Sequence, residues 1–175
     1  MRYIFSIWFL LIIAVSCIFG VMYLVVQQGL RQGANDPQIQ IAEDTATALD
    51  THHQLTLAQK SRDIAESLSP FVMTFSKDGK LQSSEAQLDG VSPEVPAGVF
   101  DYVKAHGEDR ITWQPKTGVR IAAVVVAYNN GYVLAGRNIR EVEKQEDNLL
   151  KQIFLGWLAT VGLTFIAAVS LIRKK

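Results

Sequence analysis

Two uncharged apolar runs bracket this chain, Tyr3 to Val26 (24 residues) and Ile153 to Ile172 (20 residues). A helix needs about 20 apolar residues to cross the hydrocarbon core of a bilayer, so each run is long enough to span. The 126 residues between them, Gln27 to Gln152, have ordinary globular composition. The expected organisation is transmembrane helix 1 over 3–26, an extracytoplasmic domain with juxtamembrane helices over 27–152, transmembrane helix 2 over 153–172, and a basic tail over 173–175. A lipid bilayer is thus the first partner the chain implies.

Charge placement predicts orientation. Arg2 precedes the first run, and Arg173, Lys174 and Lys175 follow the second. Basic residues beside spanning helices tend to remain cytoplasmic. Without these four, 13 basic residues face 17 acidic ones, a net charge of −4 for the middle. Both termini are therefore expected in the cytoplasm, with the acidic middle across the membrane. An acidic domain across the membrane argues against nucleic-acid binding. The first run is too long for the apolar core of a cleaved signal peptide, and no A-x-A pattern follows it. Ala14-Val15-Ser16-Cys17 echoes a lipoprotein site, but the chain stays apolar through Val26. The one cysteine lies inside a span, so the domain holds no disulfide and no thiolate metal site.

One compact domain suits 126 residues. Asn35-Asp36-Pro37 reads as a helix restart, with Asp36 as N-cap and Pro37 at the first helical position. Ile39, Ala42, Ala46 and Leu49 follow at helical spacing. A second helix is expected over Leu57–Leu68, with Ile64, Ala65 and Leu68 inward. Phe71–Phe75 is β-prone, Lys77-Asp78-Gly79-Lys80 is a tight turn, and Leu81–Ser84 returns. Glu85–Pro96 is loop-like, and Val99–His106 is a short helix. Arg110–Gln114 alternates as a strand, with Ile111 and Trp113 on one side. Arg120–Tyr128 is apolar on both faces through Ala127, as a covered central strand should be. Asn129-Asn130-Gly131 turns the chain into a last strand, Tyr132–Arg137. Ile139–Lys151 is a helix that runs unbroken into the second span. The fold class is α+β, with about five antiparallel strands and helices at the ends.

This order of elements between two spans resembles the extracytoplasmic PAS-like sensor domains, the single-Cache type, of bacterial two-span membrane sensors. Phe71 to Ser84 matches the family's strand, Asp-Gly, strand opening. Arg120 to Arg137 resembles its last hairpin, and Ala34 to Gln40 resembles a juxtamembrane segment of small bacterial two-span proteins. The resemblance implies a PAS-like antiparallel sheet and a pocket on the face of the last three strands for small organic acids, amino acids or amines. Trp113, Arg120, Tyr128, Tyr132 and Arg137 lie on or near those strands. An aromatic and arginine set suits a carboxylate, which guanidinium pairs with bidentately. The bland alternative makes the aromatics core or rim residues and the arginines surface ion-pair members. The chain ends three residues past the second run, so it is expected to lack a kinase or other output region of its own.

Nothing points to catalysis, a metal or a cofactor. His52-His53 diverge as sequence neighbours and have no cysteine to join them, so a polar turn is the simpler reading. His106 ends a helix, where a cation suits the dipole. The acidic residues fall on expected solvated faces without a nucleophile. Gly131 and Gly136 have phosphate-loop separation, but Arg137-Asn138 stand where Lys and Ser/Thr are required. On the exit helix, Ile139, Val142, Leu149 and Ile153 follow a 3-and-4 spacing with Glu146 at the seam. They could pack on the helix around Gln28–Arg31, on a second copy in a homodimer, or under the sheet. Ser16 with Gly20, and Gly156 with Thr160, allow close helix approach. The functional expectation is a non-catalytic, membrane-anchored sensor-like or ligand-binding module that acts through a separate signalling or transport protein. The competing expectation is a structural or assembly subunit of an envelope complex.

Overall fold

The computed structural model describes residues 2–51, 61–96 and 98–173. In chain order its elements are α1 (Arg2–Asp50), β1 (Arg62–Asp63), β2 (Phe71–Ser76), β3 (Leu81–Ser84), β4 (Ala86–Gln87), α2 (Val99–His106), β5 (Glu108–Lys116), β6 (Val119–Tyr128), β7 (Gly131–Asn138) and α3 (Arg140–Arg173). The chain is α+β. It divides into two compact units, Met1–Arg31 with Glu143–Lys175, and Gln32–Val142.

The first unit is an antiparallel pair of helices, each long and apolar enough to cross a membrane. Its outward apolar side chains, such as Leu10, Leu24 and Leu163, are unshielded by protein. The inward face holds the polar atoms. Trp8 Nε1 donates to Thr164 Oγ1 at 3.3 Å, and Trp157 Nε1 donates to Ser16 Oγ at 2.9 Å. An indole N–H without such a partner would be costly away from water. The Phe19 ring lies against Gly156, where an added Cβ would stand 3.1 Å from a ring carbon. Glycine thus admits the ring, and Ser16 and Gly156 each serve the helix pair. Gly20 has open space where its Cβ would be. Beyond the apolar run, Arg31 meets Glu146 through two hydrogen bonds, Nε to Oε1 at 2.7 Å and Nη2 to Oε2 at 3.2 Å. The hydrogen bond and charge of Glu146 hold the Arg31 guanidinium above its ordinary pKa. Arg31 and Glu146 thus join the two helices just beyond the apolar runs.

The second unit is built on a five-stranded antiparallel sheet in the order β3-β2-β7-β6-β5. From Ile121 to Val126, β6 is buried on both faces. Ala127 is exposed, so the covered stretch ends one residue earlier than its composition predicts. One face carries Phe71, Met73, Phe75, Ile121, Ala123, Val125, Tyr132 and Leu134, with Val99 and Val103 of α2 and Ala86 and Leu88 packed on it. The other carries Val72, Val124, Val126, Val133 and Ala135 against Ala42 and Ala46 of α1, with Ile39 and Leu49 alongside.

Two expected helix boundaries are corrected. Asp36 is not an N-cap, because α1 continues through Pro37 to Asp50. Proline removes one intrahelical bond, that to the Gly33 carbonyl, and the packing of Ala42 and Ala46 outweighs the local stop signal. The expected helix over Leu57–Leu68 is not seen in its described part. Residues 57–60 lie outside the described residues, as do His52 and His53. Arg62 and Asp63 instead pair in parallel with Ala86 and Gln87. Asp63 then closes a turn, its Oδ1 accepting the Ala65 N–H at 2.8 Å and its carbonyl the Ser67 N–H at 2.8 Å. Asp offers the backbone this local partner in competition with helix. Ile64 is buried as its apolar character predicts, whereas Leu68 is exposed. The hairpins at Asp78-Gly79 and Asn129-Asn130, and helix α2, lie where the turn chemistry and spacing predict.

Asn138 joins three pieces of this unit. Its side chain is buried, its Nδ2 donates to the Ile64 carbonyl at 2.8 Å, and its Oδ1 accepts the Arg140 N–H at 2.8 Å. The second bond caps the start of α3. Asn138→Ala is expected to destabilise the unit by about 1–3 kcal/mol, since it strands a buried carbonyl and removes a cap. Urea denaturation followed by tryptophan fluorescence of the detergent-solubilised chain measures this. An unchanged midpoint would show that the joint contributes nothing.

Candidate functional site

The five site residues expected from the sequence do not converge. Side chains alternate along a strand. Trp113 and Tyr132 are on the α2 side of the sheet, in its core. Tyr128 belongs to the α1 side, and strand alternation in the observed register puts Arg120 and Arg137 there as well. Arg120 and Tyr128 do share a face, yet eight residues of extended chain separate them by about 26 Å. They stand at opposite ends of β6 and cannot hold one small ligand. Trp113 pairs with Ile121 and Tyr132 with Ala127, six residues along the same strand, about 20 Å.

Each member has its own setting. Tyr128 Oη donates to Gln82 Oε1 at 3.2 Å, and desolvation, helped by the charge of Asp50, pushes its phenol pKa up. Arg120 is exposed at the start of β6. Arg137 pairs across the sheet with Ala122, and its Nε is buried without a hydrogen-bond partner among the described residues. Trp113 Nε1 is likewise buried and unpartnered. The arginines that suggested a carboxylate ligand therefore lie on the side away from Trp113 and Tyr132.

A cavity does open on the α2 side, near Tyr132. It has a volume of about 270 Å³, and its walls include Phe75, Leu81, Ser92, Glu94, Val95 and Phe100. Three aromatic rings pack in series beside it. Phe75 and Phe100 have centroids 4.8 Å apart, and Phe100 and Tyr132 5.0 Å, both tilted. Such pairs add about 0.5–1.5 kcal/mol beyond their buried area. Gly79 lets the β2–β3 turn close over the ring of Phe100. Its φ is +72°, and a Cβ there would stand 3.0 Å from Phe100 Cδ2.

The opposite wall is the segment Leu88–Pro96. Leu88 and Val91 exchange backbone hydrogen bonds of 2.8 and 3.2 Å around Asp89-Gly90, both at positive φ. This is the two-residue turn that Asp-Gly favours. Asp89 then receives Lys116 Nζ at 2.7 and 2.8 Å, tying the turn to the end of β5. The pair is exposed, so it guides the loop more than it stabilises it. Pro93 is buried, and with Pro96 it stiffens the wall. Ser92, Pro93 and Glu94 also border a second, wider cavity of about 640 Å³ lined by Leu88, Val91 and Pro115.

Glu94, exposed at the edge, is the one ionisable side chain among the described residues lining the smaller cavity. The cavity can hold an apolar or aromatic group and tolerate a cationic end. His106 stacks on Tyr102 at 4.1 Å in the last turn of α2, its Nδ1 3.0 Å from the Tyr102 carbonyl, as a helix-end residue. Among the described residues, no group of three or more His, Cys, Asp or Glu is placed to hold a metal ion. Sequence reasoning missed Phe75 and Phe100 as site residues because each reads as core. The signal that could have found them was Gly79, a glycine the turn requires, in the same hairpin as Phe75 and four residues after it.

No protein-family profile, curated protein or solved structure matches this chain. The cavity therefore rests on its own geometry. Phe100→Ala is expected to lower stability by about 2–3 kcal/mol, below the range for a fully buried phenylalanine because Phe100 is only half-buried. Gly79→Ala should cost about 1–2 kcal/mol through its positive φ. Denaturation midpoints of the two variants check both values, and a neutral Gly79→Ala would mean that the turn does not hold residue 79 at positive φ.

Proposed function

We propose that the chain is a membrane-anchored, non-catalytic sensor-like module that binds a small ligand and acts through a partner protein. The observation that carries this reading is the cavity walled by Phe75 and Phe100 in the sheet unit. The resemblance to PAS-like, single-Cache sensor domains supports it. So does an antiparallel sheet of five strands with helices on both faces, connected in sequence to two apolar helices. On this reading the sheet unit lies outside the bacterial inner membrane and both termini are cytoplasmic, as Arg2 and the Arg173-Lys174-Lys175 cluster favour. The ligand is small and apolar or aromatic, and an amine suits it better than a carboxylate. Glu94 is at the rim, and among the described residues no basic side chain lines the walls.

One observation favours the alternative of an envelope assembly subunit. Ligand pockets commonly occupy about 300–1,000 Å³, and this cavity falls just below that range. A ligand screen separates the two readings. Thermal shift of the full chain in detergent micelles, against small amines, amino acids and organic acids, should find a stabilising compound. At 100 times its dissociation constant it would add about 2.7 kcal/mol. Phe100→Trp, which fills the cavity, should abolish the shift while leaving the chain folded. A shift that survives Phe100→Trp moves the site elsewhere, and a screen without hits favours the assembly reading. Reporter fusions at Lys175 that are active only in the cytoplasm are expected, and activity outside would reject the orientation.

A further inference from the structure

The α1 face of the sheet holds a polar group that nothing above uses. Ala34, Gln38, Ala42 and Ala46 recur every fourth residue on α1, and all four are buried. Three are alanines, which let a helix ride close to a sheet. Gln38 is the exception. It is fully buried, and both its Nε2 and its Oε1 lack a hydrogen-bond partner among the described residues. Buried polar groups are nearly always paired, so an amide with neither end satisfied needs an explanation.

Its position can be triangulated. The Asn129 N–H donates to Asp50 Oδ1 at 2.8 Å, which places the end of α1 beside the β6–β7 turn. Gln38 lies twelve residues back, about 18 Å along the helix. That equals roughly five to six strand residues, and brings Gln38 level with Ala122–Val124 on β6 and Ala135–Arg137 on β7. Ile39, next to Gln38, packs on the cluster that holds Val124 and Ala135, which agrees with that level. Arg137 is the second side chain on this face with a buried polar atom that lacks a partner among the described residues.

The two halves of the seam are therefore held differently. The half from Ala42 onward has Ala42, Ala46 and Leu49 packed on Val72, Val124, Val126 and Val133, and Asp50 bonded at its end. The half before it touches the same cluster only through the partly buried Ile39 and Ile41, and it contains Pro37, which leaves the Gly33 carbonyl without its usual donor, and Gln38, unpaired among the described residues. We propose that Gly33–Ile41 is a release joint: it leaves the sheet, hydrating Gln38 and Arg137, while Ala42–Leu49 stays docked. A buried group with no partner favours whichever arrangement gives it one. The segment lies between the sheet and the first apolar run in sequence, so the joint deepens the sensor-like reading, on which it rests, by naming the element that moves.

Hydrogen exchange by mass spectrometry on the full, ligand-free chain in micelles tests this. In the wild type, residues 33–41 should exchange at least tenfold faster than 42–50. Gln38→Met keeps the volume and removes both polar atoms. It should slow exchange over 33–41 at least tenfold, raise the melting temperature and leave 42–50 unchanged. Equal protection of the two halves in the wild type would overturn the joint. So would faster exchange or a lower melting temperature in Gln38→Met, which would mark the amide as bonded to internal water. Arg137→Met should act non-additively with Gln38→Met, and additive effects would overturn the sharing of one joint. No ligand enters these measurements, so their failure and that of the ligand screen are distinguishable.

Discussion

Strand β6 is buried on both faces from Ile121 to Val126, and a strand of that kind must be covered twice. Each buried valine or isoleucine contributes roughly 1.5–3 kcal/mol relative to exposure, so neither cover is dispensable. One is α1, whose alanines approach the sheet closely. The other is α2 with the segment from Ala86 to Val95. Both covers, the register of β2 and β7, and the depth of the cavity depend on this demand.

Both faces hold an unsatisfied polar group, Trp113 Nε1 being the one on the α2 side, but the two pack differently. On the α2 side, Phe75, Phe100 and Tyr132 pack together, and Gly79 lets the turn close over them. The cavity persists there because the stiff segment around Pro93 spans the sheet without filling it. On the α1 side the alanines fit tightly, and Gln38 and Arg137 bring polar atoms without partners among the described residues. In the helix pair, by contrast, Trp8, Trp157 and Arg31 all find partners. Uncompensated polarity in the described residues thus gathers in the sheet unit, not between the apolar helices.

Much of the fold was legible in particular residues. Gly79 supplies the positive φ that the Asp78-Gly79 turn needs, Asn129-Asn130 closes the other hairpin, and the strands beside both alternate or stay apolar accordingly. The span from Val99 to His106 was readable as a helix, and β6 as a central strand. Asn35-Asp36-Pro37 misled because local capping chemistry competes with burial of Ala42 and Ala46, and burial prevailed. Arg62–Asp63 misled because apolar residues at helical spacing cannot reveal a partner strand 24 residues away.

The candidate site was the least legible part. Period-2 alternation puts Arg120 and Tyr128 on one face, but it says nothing of which face holds a cavity or what lies between two residues at opposite ends of a strand. By itself the sequence determined the two apolar helices, the turns, the central strand and the α+β class, because each follows from local chemistry or from the length of an apolar run. Only the tertiary structure decided that Trp113 and Tyr132 oppose the arginines, that Phe75 and Phe100 wall a cavity, and that Gln38 is buried without a partner among the described residues. Those outcomes depend on strand pairing and helix placement between residues far apart in the chain, which no local pattern encodes.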